Sequence, residues 1–294
     1  MATSETRHRR RRVKTCLITG ATNGIGLTTA RSLAEVGLNV VMASRNLPRA
    51  NLVEDHLKKT TGNDNISIIS CDLSSLDSVR LCAQTFLERH DHLDLLVNNA
   101  GMMTSKRELS SEGIELTFAT NYLGPYLLTR LLLERLKQTS DGRIVNVASG
   151  IHRMVRILPL DDLNHGNRYW GMLAYARSKL ANVMSTFSLA SRLAGTSVTA
   201  NCLHPGGVAS NLLPENTLLR FAGNLVQRFM FNAQRGSQTS IHLALSEELE
   251  GVSGKYFDAN QKIVDASALA LDKSAQDELW QFSERLLADH LDPT

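Results

Sequence analysis

Six short apolar runs, separated by longer stretches of helical periodicity, limit what this chain can fold into. "KTCLIT" (14–19), "LNVVMA" (38–43), "ISIIS" (66–70), "LDLLV" (93–97), "RIVNVA" (143–148) and "SVTANCL" (197–203) mostly carry apolar side chains on successive residues, not alternate ones. A strand of that kind is covered on both faces, as in a parallel sheet between layers of helix. Helical patterns fill the gaps near 25–36, 47–60, 75–90, 112–137 and 173–194. Strand–helix alternation from end to end implies right-handed crossovers and an α/β, doubly wound, mostly parallel sheet. No linker or repeat interrupts it, so residues 14–294 are expected to form a single domain.

The last third departs from the pattern. In "PENTLLRFAGNLVQRFMF" (214–231), Leu218, Ala222, Leu225, Val226, Phe229 and Met230 recur at helical spacing. The segment lies between a strand end and a helix near 235–249, where a helical substrate lid, about 209–232, would sit. "GKYFD" (254–258) reads as a last short strand and 272–290 as a closing helix.

The chain has 294 residues, 43% of them hydrophobic, which is enough for a sizeable core. Its formal charge of +3 is uneven, because Arg7, Arg9, Arg10, Arg11, Arg12 and Lys14 crowd the start. Without them the body is slightly acidic. Residues 1–13 therefore read as a basic, disordered tail, and no nucleic-acid partner is expected of the fold. The alternative for the tail is contact with a polyanion or a membrane surface. No apolar run is long enough to span a bilayer, and the basic start lacks the apolar stretch of a secretory signal. Cys16, Cys71, Cys82 and Cys202 are far apart, as expected of reduced thiols in a cytoplasmic protein. No spaced Cys/His set or His-Glu-x-x-His suggests a metal. "HDH" (90–92) reads as a helix end that caps or faces solvent.

"TCLITGATNGIG" carries the strongest local signal. Gly20 permits a tight turn off the first strand, Gly24 lets backbone approach a pyrophosphate, and Gly26 lets the helix pack close to the sheet. The helix N-terminus offers free N–H groups and partial positive charge to phosphates. Thr22, Asn23 and Ile25 complete this dinucleotide-binding candidate. The second strand ends in Ser44-Arg45-Asn46, where an NAD site usually has Asp or Glu. Arg45 would instead attract a 2′-phosphate, which favours NADPH over NADH. The bland alternative is an exposed arginine at a helix start.

Gly-x-x-x-Gly-x-Gly spacing, together with five motifs further along the chain, resembles the short-chain dehydrogenase/reductase family and its Rossmann fold. "CDL" places Asp72 and Leu73 where the family meets adenine. "NNAG" supplies Asn99, Ala100 and Gly101, and "HPGGV" supplies Pro205, Gly206 and Val208 beside the nicotinamide. "TNYLG", "NVAS" and "YARSK" supply the family's catalytic set as Asn121, Ser149, Tyr175 and Lys179. The resemblance runs from about residue 14 to 265. "LTFATNYLGPYLLTRLLLERL" and "LAYARSKLANVM" look like the retinol-dehydrogenase-like branch, as does the long insertion between Ser149 and Tyr175. The turn has Asn23 where NADP-dependent members often carry a basic residue. His152 and His204 border the expected pocket, and the resemblance gives them no fixed role.

The resemblance implies hydride transfer between a nicotinamide and a carbinol carbon. Tyr175 would be general acid/base, with Lys179 one turn later lowering its pKa and reaching the nicotinamide ribose. Ser149 would hold the substrate oxygen, and Asn121 would hold a water linking Lys179 to solvent. Each residue alone is more often structural: a packed tyrosine, a surface lysine, a serine cap. Apolar side chains in the lid point to a small lipophilic alcohol or carbonyl substrate, with at most peripheral membrane contact. Helices 112–137 and 173–194 form a homodimer surface in many relatives. The competing functional class is a non-catalytic regulatory protein that senses NADP(H).

Overall fold

A computed structural model describes residues 12–162, 169–206 and 233–291. The lid at 209–232, Val208 and the tail up to residue 11 lie outside the described residues. Each apolar run forms a strand: β1 Thr15–Thr19, β2 Asn39–Ser44, β3 Ile66–Ser70, β4 Leu95–Asn98, β5 Gly142–Val147 and β6 Val198–Leu203. A short β7, Tyr256–Phe257, completes one seven-stranded sheet in the order β3-β2-β1-β4-β5-β6-β7. Every pairing is parallel. The chain is a single Rossmann-type domain.

The alternation of strand side chains divides the core into two layers. Cys16, Ile18, Val40, Met42, Leu95 and Val97 face one side. There they meet α1 (Gly24–Glu35), α2 (Leu47–Thr61) and a helix after β6, Ala233–Leu245. Leu17, Val41, Leu96 and Ile144 face the other side. That side is covered by α3 (Leu76–Arg89), a short α4 (Leu116–Phe118), α5 (Gly124–Lys137) and α6 (Gly171–Arg192). In chain order the helix after β6 is α7, followed by α8 (Ala268–Leu271), α9 (Lys273–Leu286) and α10 (Ala288–Leu291). Among the described residues no helix is long and apolar enough to cross a membrane.

Two expectations change. The helix expected over 112–137 begins only at Leu116, and Ala119–Leu123 form a π turn before α5. The closing helix crosses the outer faces of α5 and α6. Tyr122 and Ser283 hydroxyls are 2.7 Å apart, and the Arg192 guanidinium stacks 4.3 Å from the Trp280 ring centre. Part of the surface offered by these two helices is therefore occupied by the chain's own C-terminal helix.

The order of the body reaches back to Arg12, inside the stretch expected to be tail. Its guanidinium forks onto Asp94, which also accepts from the Thr15 backbone N–H at 2.8 Å. In "HDH", His90 ends α3 as its C-cap, and partly exposed His92 has its Nε2 2.9 Å from the Thr15 hydroxyl and 3.1 Å from the Val13 carbonyl. Asp94 is buried and Arg12 half-exposed, so the two ends of the pair differ in worth. Asp94→Ala should cost about 2 kcal/mol by orphaning the Thr15 N–H, and Arg12→Ala under about 1 kcal/mol. Urea denaturation of the two variants checks the order.

Candidate active site

The strand order reverses between β1 and β4, which opens a crevice at their carboxyl ends. Gly20 and Gly24 take positive φ angles of 68° and 53°, as the turn off β1 requires. A Cβ on Gly26 would lie 2.3 Å from the Gly20 carbonyl oxygen and 2.3 Å from Asn99 Nδ2. Only glycine allows that approach. A Cβ on Gly24 would meet nothing within 4 Å, so backbone there is bare toward the crevice. Asn23 takes the N-cap position of α1 without capping it by its side chain, and Ile25 lies in the first turn. This bare backbone at a helix N-terminus fits a pyrophosphate.

Asn99 locks the turn in place. Its Nδ2 donates to the Thr19 and Gly20 carbonyls, and the Thr19 hydroxyl accepts from the Asn99 and Ala100 N–H groups. Thr19 opens the glycine motif in the sequence, and the structure adds its part in fastening the turn to the loop after β4.

At the end of β2, Ser44 is buried and Arg45 exposed. Asn46 caps α2, accepting from the Arg49 N–H at 3.0 Å. Arg49 is absent from the motif reading. Its Nε donates to the Thr22 carbonyl at 3.2 Å, which puts a second guanidinium beside the glycine turn. Asp72 Oδ1 accepts from the Ser74 N–H and hydroxyl, fixing the loop after β3. A Cβ on Gly124 would strike the Leu73 carbonyl at 2.2 Å, so α5 presses directly on that loop.

Asn121 occupies the π turn, a distortion common at functional sites. Pro125 has no N–H for the Asn121 carbonyl at the usual helical spacing, and Asn182 Nδ2 donates to it at 2.9 Å instead. The Asn121 side chain makes three hydrogen bonds. Oδ1 accepts from the Met102 N–H, while Nδ2 donates to the Met102 carbonyl and the Ser178 hydroxyl. It pins the loop after β4, and leaves one lone pair on Oδ1 for a further donor. Ser178 and Asn182 also escape the motif reading; both lie on the α6 face that carries Lys179.

Ser149 ends the β5 strand with extended backbone and begins a 3-10 turn, Gly150–Met154. Its hydroxyl accepts from the Ile151 N–H at 3.4 Å and lies near enough to the Tyr175 hydroxyl, on the first turns of α6, to lower that phenol's pKa. Lys179 is buried, 3% exposed, and donates to the Val147 carbonyl at 2.8 Å. Its Nζ lies 5.7 Å from the Tyr175 ring centre and 3.3 Å from where a Cβ on Gly101 would be. So the structure brings Ser149, Tyr175, Lys179, Asn121 and Gly101 together at the mouth of the crevice.

Burial governs the charges here. It pushes the Tyr175 phenol up to about 12 against the opposing Ser149 hydrogen bond, and pushes Lys179 down to about 8. The expected lowering of the tyrosine by the lysine does not appear: desolvation is the largest cause at Tyr175 and the only one at Lys179. Across the crevice Gly206, with φ of 82°, donates its N–H to His204 Nδ1 and turns the chain after Pro205.

A buried lysine with a lowered pKa has a linkage consequence. Between about pH 8 and the unfolded value near 10.4, the unfolded chain holds the proton that the folded chain has lost, so stability rises with pH. The stability difference between wild type and Lys179→Met, measured by chemical denaturation, should shift in the wild type's favour as pH rises through that window, because the buried thiols and phenols that titrate there are common to both.

Comparisons with known proteins agree with this geometry. A family model described as short chain dehydrogenase matches residues 14–218. Retinol dehydrogenase 12 of Homo sapiens is 41% identical over 274 residues, 93% of this chain and 86% of that protein. A crystal structure of a Mycobacterium paratuberculosis protein superposes with TM-score 0.75 at 32% identity, covering 94% of this chain and 93% of that one. A short chain dehydrogenase from Shigella flexneri, crystallised with NADP, superposes with TM-score 0.66 at 23% identity, covering 84% and 97%. By fold, crevice and sequence, the chain belongs to the short-chain dehydrogenase family and resembles its retinol-dehydrogenase-like branch.

Proposed function

We propose that this chain is an NADP-dependent oxidoreductase that interconverts a lipophilic alcohol and its aldehyde or ketone, with Tyr175 as general acid/base. The observation that carries the proposal is the Ser149–Tyr175 hydroxyl pair beside buried Lys179, at the same crevice as the bare glycine turn. A bound nicotinamide dinucleotide would supply or accept the hydride. Tyr175, protonated at neutral pH, donates its proton to the carbonyl oxygen during reduction and recovers it in the reverse direction. Ser149 orients that oxygen against the phenol. The Lys179 charge sits in a low dielectric, where it stabilises phenolate as the proton leaves.

Gly20, Gly24 and Gly26 would cradle the pyrophosphate, with Thr22, Asn23 and Ile25 around it. Asp72, Leu73, Asn99, Ala100 and Gly101 would line the adenine-to-ribose path, and Pro205, Gly206 and Val208 the nicotinamide end. Preference for the 2′-phosphate rests on Arg45 together with Arg49, and on the missing carboxylate at the end of β2. The lipophilic substrate is supported by the name of the retinol dehydrogenase relative. The four described cysteines are buried free thiols, which supports the cytoplasmic location.

Tyr175→Phe should bind NADPH as the wild type does and lose roughly a hundredfold or more in turnover of a lipophilic aldehyde. Retained turnover would sink the assignment. Arg45→Asp should reverse the NADPH/NADH preference in kcat/KM, and an unchanged ratio would sink the cofactor reading. A panel of aldehydes graded by chain length should show kcat/KM rising with length.

A further inference from the structure

His152 is a tightly held titratable side chain that the proposed reaction leaves without a role. It is 0% exposed, in the 3-10 turn that follows Ser149. Its Nδ1 is 2.7 Å from the Ser149 carbonyl oxygen, and its Nε2 is 3.2 Å from the Ser267 backbone nitrogen. A backbone N–H only donates, so Nε2 must be the bare nitrogen. Nδ1 then carries the proton and donates it to Ser149. The ring is thereby fixed in one neutral tautomer between two pieces of backbone far apart in sequence. Ser267 caps α8, which leads into the closing helix α9. The imidazole also meets the Tyr256 ring edge-on, with centres 5.0 Å apart.

The Ser149 carbonyl receives a second, longer bond from the His152 N–H at 3.3 Å. Backbone at Ser149 is extended, with φ −157° and ψ 150°, and its hydroxyl accepts from the Ile151 N–H at 3.4 Å, so the direction of that hydroxyl depends on how the 149–152 turn is tied. We propose that neutral His152 is a positioning residue, which ties the Ser149 peptide to the backbone at Ser267 and so aims the Ser149 hydroxyl at Tyr175. This rests on the catalytic roles proposed for Tyr175 and Ser149.

The tie depends on protonation. A charged His152 presents N–H at both nitrogens, and the one on Nε2 opposes the Ser267 N–H. Burial lowers the His152 pKa, the Ser149 hydrogen bond resists, and the neighbouring Arg153 and His204 push it further down. His204 in turn faces Asp258 and Arg153, and the Arg153 guanidinium lies 5.8 Å from the Tyr256 ring centre. The neutral form is therefore the working form, and it is lost as pH falls through a value below the ordinary imidazole range.

The test measures kcat and KM for the full chain with saturating NADPH and decanal from pH 5 to 8, in the wild type, His152→Phe, His152→Asn and Tyr175→Phe. NADPH affinity and melting temperature are measured alongside. His152→Phe should lose about ten- to a hundredfold in kcat with unchanged NADPH affinity, as expected for a misaimed group. It should also lose the acid fall in kcat shown by the wild type. His152→Asn, which keeps a donor for the Ser149 carbonyl, should recover most of the rate. An unchanged kcat in His152→Phe, a loss that tracks NADPH affinity, or an Asn variant no better than Phe would overturn the proposal. Turnover retained by Tyr175→Phe would instead overturn the catalytic reading beneath it. If His152→Phe fails to fold, nitrogen-detected NMR of the wild-type imidazole decides: a proton on Nδ1 alone at neutral pH supports the tie, and a proton on Nε2 refutes it.

Discussion

The approach of the first helical turn of α1 to the ends of β1 and β4 governs the geometry of the whole crevice. A Cβ on Gly26 would overlap both the Gly20 carbonyl and Asn99 Nδ2, so no other residue permits this packing. Once it forms, Asn99 and Thr19 fasten the turn to the loop after β4. That loop carries Gly101, where a side chain would crowd Lys179, and Met102, which Asn121 grips through both its N–H and its carbonyl. Asn121 then reaches Ser178, whose hydroxyl donates to the Tyr175 carbonyl. Hydrogen bonds and close contacts thus run unbroken from the phosphate-cradling turn to the helix bearing the tyrosine and lysine. A disturbance at the glycine turn is also a disturbance of the reacting groups, because interiors packed this closely transmit strain.

Burial does two opposite things to the paired phenol and amine. It holds the proton more firmly on Tyr175 and less firmly on Lys179, so their pKa values part instead of converging. The Val147 carbonyl gives the ammonium a partial dipole to rest against, which is less than it would gain in water. That deficit is recovered only when a negative charge arrives nearby. A buried ammonium in this condition interacts more favourably with a phenolate than with a neutral phenol, which is the electrostatic basis of the role proposed for Tyr175.

Much of this is legible in the sequence. Apolar runs without alternation locate the parallel strands to within about two residues at most boundaries, because a strand buried on both faces has little freedom to be anything else. The glycine spacing locates the cradle, since Gly26 has no substitute. What stays hidden is of two kinds. The π turn at Ala119–Leu123 interrupts a segment whose helical periodicity reads as continuous, and only Pro125 in "NYLGP" hints that the Asn121 carbonyl needs another partner. Residues such as Arg49, Ser178 and Asn182 owe their places to contacts across long stretches of chain, which no local pattern encodes. Composition places Arg12 in the tail, yet buried Asp94 draws it into the body.

The long segment between Ser149 and Tyr175 carries the same logic to the substrate side. An insertion of this length would ordinarily cost loop entropy and blur a pocket wall. Here both ends are fastened. At the first, His152 meets Ser267 and Arg153 donates to the Asp265 carbonyl. At the second, the Tyr169 hydroxyl donates to buried Glu115 at 2.9 Å and lies 2.6 Å from the Thr104 hydroxyl. Glu115 also accepts from the Thr117 and Phe118 N–H groups, which start the helical stretch that carries Asn121. The insertion is therefore braced against the same elements that hold the catalytic candidates. Met154, Ile157 and Trp170, more than half exposed along it, present apolar surface beside those braces. Anchors at both described ends offset part of the ordering entropy of so long an insertion before any ligand arrives.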